Sequence, residues 1–371
     1  MTDDRIEKVN QLRNLGIEPY PYSYTRSHTA TQIITEYAQN EGKNVSVAGR
    51  LVSKRSFGKL IFTVIQDNNN KIQVVFSNDK LKDKFSIIEM LEAADIIGVS
   101  GEVGKTKKGE ISVFANDITV LAKALRPLPE KFHGLKDVEL RYRKRHLDLI
   151  MNPEVKEIFK IRSRFISAVR EFLDSKDFLE LETPILQPIY GGAAAKPFKT
   201  YHNALDSDLY LRIADELYLK RLIIGGIEKV YEFGKDFRNE DIDSMHNPEF
   251  TQVEIYQAYT DYEGMMRLAE EIFSYSLKKI FGSTKIKYQD KELDFTPPFK
   301  RLSFVGSIKE KTGIDILSIK TDEEAAEIAK KLKLDVAKKT RARVIDAMFD
   351  HYVATELWNP TFVIDYPDHM C

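Results

Sequence analysis

Five short runs rich in β-branched and aromatic residues follow one another in the first third of the chain, and they constrain its fold more than any other feature. Each run has the length of a strand and is bounded by polar or turn-forming residues, so the pattern predicts five β-strands within about 80 residues. So many short strands so close together indicate a small barrel. The predicted strands are residues 45–51, 60–66, 71–76, 96–102 and 111–121.

The spacing of the predicted strands, turn and helix indicates which kind of barrel they form. A turn at residues 67–70 joins the second and third predicted strands, and a helical stretch at 79–94 falls between the third and fourth. An oligonucleotide-binding (OB) barrel places its helix at that point. A β-barrel that binds no nucleic acid would satisfy the same spacing, so both interpretations stay open. Helical spacing also precedes the barrel, at residues 3–15 and 29–40.

The rest of the chain has a different pattern. Residues 153–173 carry apolar side chains every three or four positions, which predicts an amphipathic helix leading into a strand that ends before Pro184. Further strand-like stretches are joined mostly by hairpin-length connections, which favours an antiparallel sheet flanked by helices over βαβ units. These stretches are residues 209–213, 230–233 and 252–259, and helical spacing returns at 322–334 and 340–357.

We therefore predict an α+β protein, because 371 residues are too many for one small core. The second domain is expected to be an antiparallel sheet with a helical insertion at 299–357. Prolines and a cluster of charges without apolar periodicity indicate a linker or hinge between the two domains. The predicted segments are an N-terminal helical segment 1–44, the barrel 45–123, the linker 124–150 and the second domain 151–371.

Composition excludes several classes of function. The 56 basic and 57 acidic residues give a net charge of -1, so any nucleic acid must be bound by local basic surface. Gly-x-Gly-x-x-Gly and P-loop motifs are absent, and the only cysteine is Cys371, which excludes an internal disulfide or a cysteine metal site. No apolar run is long enough for a signal peptide or a membrane span, so we expect a cytoplasmic protein without membrane contact.

The densest group of candidate functional residues lies between residues 237 and 254. Arg238 carries a planar guanidinium that can hold a carboxylate and a phosphate together, and Phe250 offers a face on which adenine can stack. Considered separately, Arg238 suits a structural ion pair and Phe250 suits a core position. Together with the polar loop that contains His246, they predict a pocket for a phosphate and a base.

Residues 237–240 and 246–254 resemble motif 2 of the class II aminoacyl-tRNA synthetases nearly residue for residue. Residues 177–184 resemble motif 1, although Asp177 replaces the usual glycine. The resemblance implies a homodimer whose interface includes Pro184. Residues 191–198 and 211–222 are similar to the lysyl enzymes within this class. That similarity implies L-lysine, ATP and tRNA(Lys) as substrates.

The resemblance also assigns roles in a lysine site. A lysine ligand presents two ammonium groups, which require carboxylates. Glu216 and the backbone at Gly192 are expected to hold the α-ammonium, and Glu254 and Tyr256 the side-chain ammonium, whereas isolated glutamates would simply pair with surface lysines. Arg238 is expected to bridge the lysine carboxylate and the α-phosphate of ATP.

The remaining expected contacts involve the nucleotides. Glu240 and Asn247 are expected to contact ATP, His246 to face the outgoing phosphates, and Phe250 to stack on adenine, with Mg²⁺ neutralising the polyphosphate. In the barrel, Phe62 and Gln73 match positions that read the central anticodon base, and Asp117 stands where the family usually has glutamate. Without the resemblance, Phe62 would be interpreted as a core residue.

The family pattern continues for more than a hundred residues past Cys371. The metal-binding carboxylates and the glycine-rich motif 3 are expected in that stretch, so the 371-residue chain is expected to form the adenylate poorly or not at all. Residues 150–371 are not expected to fold in isolation unless a partner chain supplies the remainder of the sheet. Two alternatives stay open: a non-catalytic tRNA-binding paralogue, and a relative of the aspartyl or asparaginyl enzymes.

Overall fold

The computed structural model describes residues 3–68, 70–129, 135–243 and 246–370. The predicted turn residue Asn69, the loop residues Ser244 and Met245, and Cys371 lie outside the described residues. The chain divides into two compact units, Met1–Val155 and Lys156–Cys371.

The first unit is a five-stranded closed barrel with short helices around it. Its elements are α1 (Asp3–Asn14), α2 (Ala30–Thr35), α3 (Tyr37–Asn40), β1 (Asn44–Phe57), β2 (Leu60–Gln66), β3 (Lys71–Ser77), α4 (Asn78–Leu81), α5 (Phe85–Glu89), β4 (Ile96–Lys105), β5 (Ile111–Ala122), α6 (Val138–Arg143) and α7 (Arg145–Met151).

The barrel closes in the order β1-β2-β3-β5-β4. Only β3 and β5 pair in parallel, and the other neighbours are antiparallel. Side chains alternate along each strand as predicted: on β2, Ile61, Thr63 and Ile65 are buried, and the residues between them are partly exposed. One apolar core fills the barrel, so the predicted five-stranded OB barrel is confirmed.

Two details of the first unit differ from the prediction. The helical stretch 79–94 is broken into α4, a 3-10 turn at Lys82–Lys84 and α5, and Lys82 lies at the break with a φ of 47°. Residues 138–150, placed in the linker because they lack apolar periodicity, lie in the region of α6 and α7. These helices are stabilised by charge, since the buried carboxylate of Asp148 accepts from Arg141 (2.8 Å) and pairs with Arg145.

The second unit contains a small mixed sheet flanked by long helices, followed by a helical region. Its elements are α8 (Val155–Asp174), β6 (Leu179–Glu180), β7 (Leu186–Gln187), β8 (Lys199–His202), β9 (Ser207–Leu211), α9 (Glu216–Ile224), β10 (Lys229–Phe237), β11 (Glu249–Gln257), α10 (Tyr262–Phe281), β12 (Lys285–Tyr288), β13 (Lys291–Asp294), β14 (Lys300–Ser303), α11 (Phe304–Thr312), α12 (Asp322–Lys331), α13 (Arg341–Tyr352) and β15 (Thr361–Ile364).

The β10–β11 hairpin is the centre of this unit. Its strands are antiparallel, with Lys229 opposite Gln257 and Phe237 opposite Glu249. Tyr231 and Phe233, on one face of β10, join an apolar cluster with α8 and α10. The other face of the hairpin is therefore available for polar and charged side chains.

Not every strand pairing is antiparallel. β6 has only two residues and runs parallel to β10, and β14 pairs in parallel with β15. The predicted helical region 299–357 is mainly helical, but it opens with β14; its helices α11, α12 and α13 enclose an apolar core of their own. Across the described ranges, no helix combines the length and apolar character needed to cross a membrane.

Candidate active site and nucleic-acid-binding face

One face of the β10–β11 hairpin gathers four of the predicted site residues, Arg238, Phe250, Glu254 and Tyr256. Residues directly opposite each other in an antiparallel pair point to the same side of the sheet, and so do alternate residues along each strand. Arg238 continues this row past the end of β10, where its backbone N–H donates to the carbonyl of Pro248 (2.9 Å). The row on β10 is Val230, Glu232, Gly234 and Asp236, and the row opposite on β11 is Tyr256, Glu254, Gln252 and Phe250.

Arg238 and Phe250 are brought into direct contact. The Arg238 guanidinium lies 5.0 Å from the centre of the Phe250 ring, in a cation–π arrangement, and makes long hydrogen bonds of 3.4 and 3.5 Å to the carbonyl of Ile213. Both side chains are half-buried. The hairpin therefore presents a fixed cation beside an aromatic platform, and the guanidinium covers one side of that platform.

A second group surrounds Glu254. Its Oε2 accepts from the hydroxyl of Tyr256 (2.9 Å), and its Oε1 accepts from Gln252 (2.8 Å) and from the backbone N–H of Asp215 (3.3 Å). Burial raises the pKa of Tyr256 well above its usual range, and the charges of Glu254, Glu216 and Asp215 add to that effect. Tyr256 is therefore a neutral hydrogen-bond donor inside a negatively charged pocket.

Gly192 and Glu216 lie against each other at the start of α9. Gly192 has a φ of 89°, and a Cβ added there would lie 2.8 Å from the Cβ of Glu216 and 3.0 Å from that of Ala214. Glu216 pairs with Lys220, one turn along the helix, at 2.7 Å, and the Lys220 ammonium is also 6.0 Å from the Tyr256 ring centre. A lysine side chain of the protein thus lies beside the predicted lysine-binding carboxylate.

The loop after β10 carries the remaining predicted ATP contacts. Glu240 accepts from the backbone N–H of Lys196 (3.3 Å). His246 is exposed and contacts Asp243 through Nδ1 (2.8 Å), and Asn247 donates to the carbonyl of Glu249 (2.5 Å). These contacts are local to the loop or reach residue 196.

The prediction missed a buried charge cluster on this same face of the hairpin. Arg212, 2% exposed, pairs with Asp215 (2.9 Å), Glu232 (2.6 Å) and Asp236 (3.3 Å), all of them buried. A sequence signal was present: β10 alternates Glu232, Gly234 and Asp236 on a strand otherwise rich in apolar and aromatic residues. Gly234 leaves room for Arg212, since a Cβ there would collide with its guanidinium.

The described residues do not fit a protein-held metal. They contain no group of three or more His, Cys, Asp or Glu side chains arranged to hold an ion. The carboxylates of Asp215, Glu232 and Asp236 surround Arg212, and the carboxylate of Glu254 is hydrogen-bonded to protein groups.

Pro184 lies in an exposed apolar stretch. Its carbonyl accepts from the Gln187 side chain (3.0 Å). Several large apolar side chains around it are more than two-fifths exposed: Leu179, Ile185, Leu186, Ile189 and Tyr190.

In the barrel, the three predicted base-reading residues lie on the outer face of neighbouring strands. Phe62 on β2 is half-buried and packs edge-on against Phe57, with ring centres 5.8 Å apart. Gln73 on β3 accepts from the Ser112 hydroxyl of β5 (2.8 Å), and Asp117 on β5 pairs with Lys84 (2.5 Å). The outward position of Phe62 contradicts its alternative interpretation as a core residue.

Comparison with known families and proteins agrees with this arrangement. Residues 137–371 match the family model of class II tRNA synthetases (D, K and N), and residues 45–121 match that of the OB-fold nucleic acid binding domain. A lysine–tRNA ligase of Thermoanaerobacter pseudethanolicus is 55% identical over 366 residues, covering 98% of this chain and 73% of that protein. A lysine–tRNA ligase of Clostridium novyi is 51% identical over 373 residues, covering 99% and 73%. The chain therefore belongs to the class II tRNA synthetases, in the family of the lysine–tRNA ligases.

Proposed function

We propose that this protein activates L-lysine with ATP and transfers it to tRNA(Lys). In the first step a lysine carboxylate oxygen attacks the α-phosphorus of ATP, and pyrophosphate leaves. In the second step the terminal ribose hydroxyl of the tRNA attacks the acyl carbonyl, and AMP leaves. The observation that carries the proposal is the hairpin face, which places a carboxylate pocket and an arginine beside an aromatic platform.

Charge complementarity supports lysine as the amino acid. Glu254 and the neutral Tyr256 hydroxyl hold the side-chain ammonium, and Glu216 with the backbone at Gly192 holds the α-ammonium. Glu216 already pairs with the exposed Lys220 (2.7 Å), the contact expected of an isolated glutamate, so a bound lysine would have to displace that side chain. An aspartate or asparagine ligand lacks the second ammonium that Glu254 would need as a partner.

Arg238 acts as the positioning cation of the first step. Its planar guanidinium holds the lysine carboxylate and the α-phosphate together, and it stabilises the negative charge that develops on the phosphate oxygens. Phe250 stacks on adenine, Glu240 and Asn247 contact the nucleotide, and His246 faces the departing pyrophosphate. Because the described residues do not fit a metal site, no step is assigned to Mg²⁺.

The barrel reads the anticodon. Phe62 stacks on a base that is turned out of the RNA, and Gln73 and Asp117 bind its edge. The exposed apolar stretch around Pro184 supports a homodimer, because apolar surface of this kind is typical of subunit interfaces. We infer a cytoplasmic location from the requirement for tRNA and ATP.

Lysine-dependent exchange of labelled pyrophosphate into ATP tests the proposal. The assay is run with the 371-residue chain, and with the chain extended by the C-terminal segment of a lysine–tRNA ligase. Exchange that requires lysine, and that aspartate and asparagine do not support, is the expected result for the extended chain. Exchange with aspartate or asparagine instead contradicts the substrate, and tRNA binding without any exchange in either form supports the non-catalytic alternative.

A further inference from the structure

The buried cluster on the site face of the hairpin contains more acid than base. One guanidinium, that of Arg212, faces the three carboxyls of Asp215, Glu232 and Asp236. If all three were ionised, two negative charges would remain uncompensated in the interior, which is costly in a medium of low polarity. At least one of the three acids is therefore expected to hold a proton.

Hydrogen bonding shows which acids are short of a donor. Glu232 is well satisfied: its Oε2 accepts from the hydroxyl (2.7 Å) and the backbone N–H (3.1 Å) of Thr183, and its Oε1 from Arg212. Asp215 and Asp236 differ, because no described donor reaches any of their four buried carboxylate oxygens.

Arg212 does not remove this deficit. Its Nε lies 2.9 Å from Asp215 and 3.3 Å from Asp236, but the single Nε–H is directed at the carbonyl of Lys235 (3.0 Å). Both carboxyls thus approach the same nitrogen without receiving its hydrogen. A proton carried by one of them would supply the missing donor to the other.

We propose that Asp215 and Asp236 share one proton, and that this proton-linked pair positions the lysine site. The second half of the inference rests on the proposed function of the hairpin face. The first half concerns the cluster alone and holds whatever ligand the face binds.

Charged groups face the pair from each element around it. Arg212 and Glu216 flank Asp215 in the segment between β9 and α9, and Glu254 approaches from β11. Glu232 and Arg238 lie on the same side of β10 as Asp236.

These surroundings favour the shared proton. Burial raises the pKa of Asp215 to about 8, the charge of Asp236 adds to the rise, and Arg212 opposes it. Burial likewise raises the pKa of Asp236, with Arg212 again opposing. The pair is therefore expected to hold its proton at neutral pH.

The pair is connected to both sides of the site. The backbone N–H of Asp215 donates to Glu254, and the next residue is Glu216, which lies against Gly192. Asp236 lies opposite Phe250 and two residues before Arg238. Loss of the proton would leave two mutually repelling carboxylates between these groups, and the turn that carries Asp215 would move away from Glu254. We expect lysine binding to weaken as the proton leaves.

The test combines infrared spectroscopy with lysine kinetics on the extended chain. The wild-type protein at neutral pH is expected to show the carbonyl stretch of a protonated carboxyl, which Asp215→Asn abolishes and the exposed control Asp208→Asn leaves in place. The KM for lysine in pyrophosphate exchange is expected to rise about tenfold as pH passes about 8 in the wild type. In Asp215→Asn, whose amide keeps a donor to Asp236, the KM for lysine should stay constant within about twofold over the same pH range.

Each half of the proposal can fail separately. Absence of the protonated-carboxyl band, or its persistence in both Asp215→Asn and Asp236→Asn, overturns the shared proton. The positioning role is overturned if the infrared band behaves as expected but the lysine KM of Asp215→Asn depends on pH in the same way as that of the wild type. Because the infrared measurement needs no substrate, it distinguishes these failures from a failure of the proposed lysine activity.

Discussion

On the outer face of the barrel the functional side chains lie outside the apolar core, whereas on the site face of the β10–β11 hairpin they lie among buried charged residues. Phe62, Gln73 and Asp117 lie outside a closed apolar core that contains none of them. The charged residues beside the hairpin face are buried and pair with one another, as Arg212 and Asp236 do at 3.3 Å. We infer that the barrel separates binding from stability, whereas the hairpin couples them.

The largest expected effect comes from removing the buried cation. Arg212→Met leaves the carboxyls of Asp215, Glu232 and Asp236 without their counter-ion, and we expect the second unit to lose about 3–5 kcal/mol of stability. Urea unfolding followed by the fluorescence of Trp358, the one tryptophan of the chain, measures this unit. Arg221→Met, on exposed α9 surface, is the matched control. A loss of stability no larger than that of Arg221→Met would contradict the inference that the hairpin couples binding to stability.

The next effect separates charge from shape within the pocket. Glu254→Gln keeps the size of the side chain but removes the charge that faces a lysine ammonium, so kcat/KM for lysine should fall roughly 10- to 100-fold. Pyrophosphate exchange at varied lysine concentration measures the loss. Glu249→Gln, exposed on the same strand, should retain nearly full activity. Equal activity of the two variants would count against Glu254 as a lysine ligand.

On the barrel we expect a substitution to weaken RNA binding without changing the stability of the fold. Phe62→Ala should weaken binding of an anticodon stem-loop by roughly 1–3 kcal/mol, because one stacked base loses its aromatic partner. Filter binding measures the affinity, and circular dichroism of the same sample during heating measures the fold. A fall in the melting temperature as large as that of a core variant such as Ile65→Ala would show that the barrel also couples function to stability.

Taken over a single pH unit, the smallest effect is a slope in the dependence of stability on pH. Burial raises the pKa of Asp215 from 3.8 to about 8, so the folded state binds a proton that the unfolded state has released between these values. The resulting stabilisation is complete below about pH 4, declines as pH rises, and is gone above about pH 8, with a slope of about 1.4 kcal/mol per pH unit. Asp215→Asn should flatten this slope in urea unfolding at several pH values. An identical slope in wild type and variant would contradict a protonated Asp215.

The same contrast explains what could be predicted from the sequence. Alternation of buried and exposed residues follows directly from strand geometry, so the barrel strands were placed correctly; β2 ends at the predicted residues, and the others extend by one to several positions. Arg238, Phe250 and Glu254 were found through their resemblance to motif 2, and their proximity on one face follows from the hairpin register.

Features that depend on distant partners were missed. The parallel pairing of the two-residue β6 with β10 is an interaction between residues far apart in sequence. The buried partners of Arg212 are likewise spread over β10 and the turn before α9; the acidic alternation on β10 was the one sequence sign of them, and it does not identify the cation they face. The helices around Asp148 lack an apolar period because ion pairs stabilise them.

The close approach of Ala214 and Glu216 to Gly192 also limits which residues can replace this glycine. A side chain there would meet both a left-handed backbone, with φ of 89°, and the Cβ atoms of Ala214 and Glu216 at 3.0 and 2.8 Å. Because these are the first side-chain atoms, no rotamer change can relieve the contact. In a library containing every substitution at this position, selection for function should recover glycine alone, while Phe62 on the barrel should accept other aromatic residues. The tolerance of a position to mutation would then reveal how near its backbone lies to a neighbour.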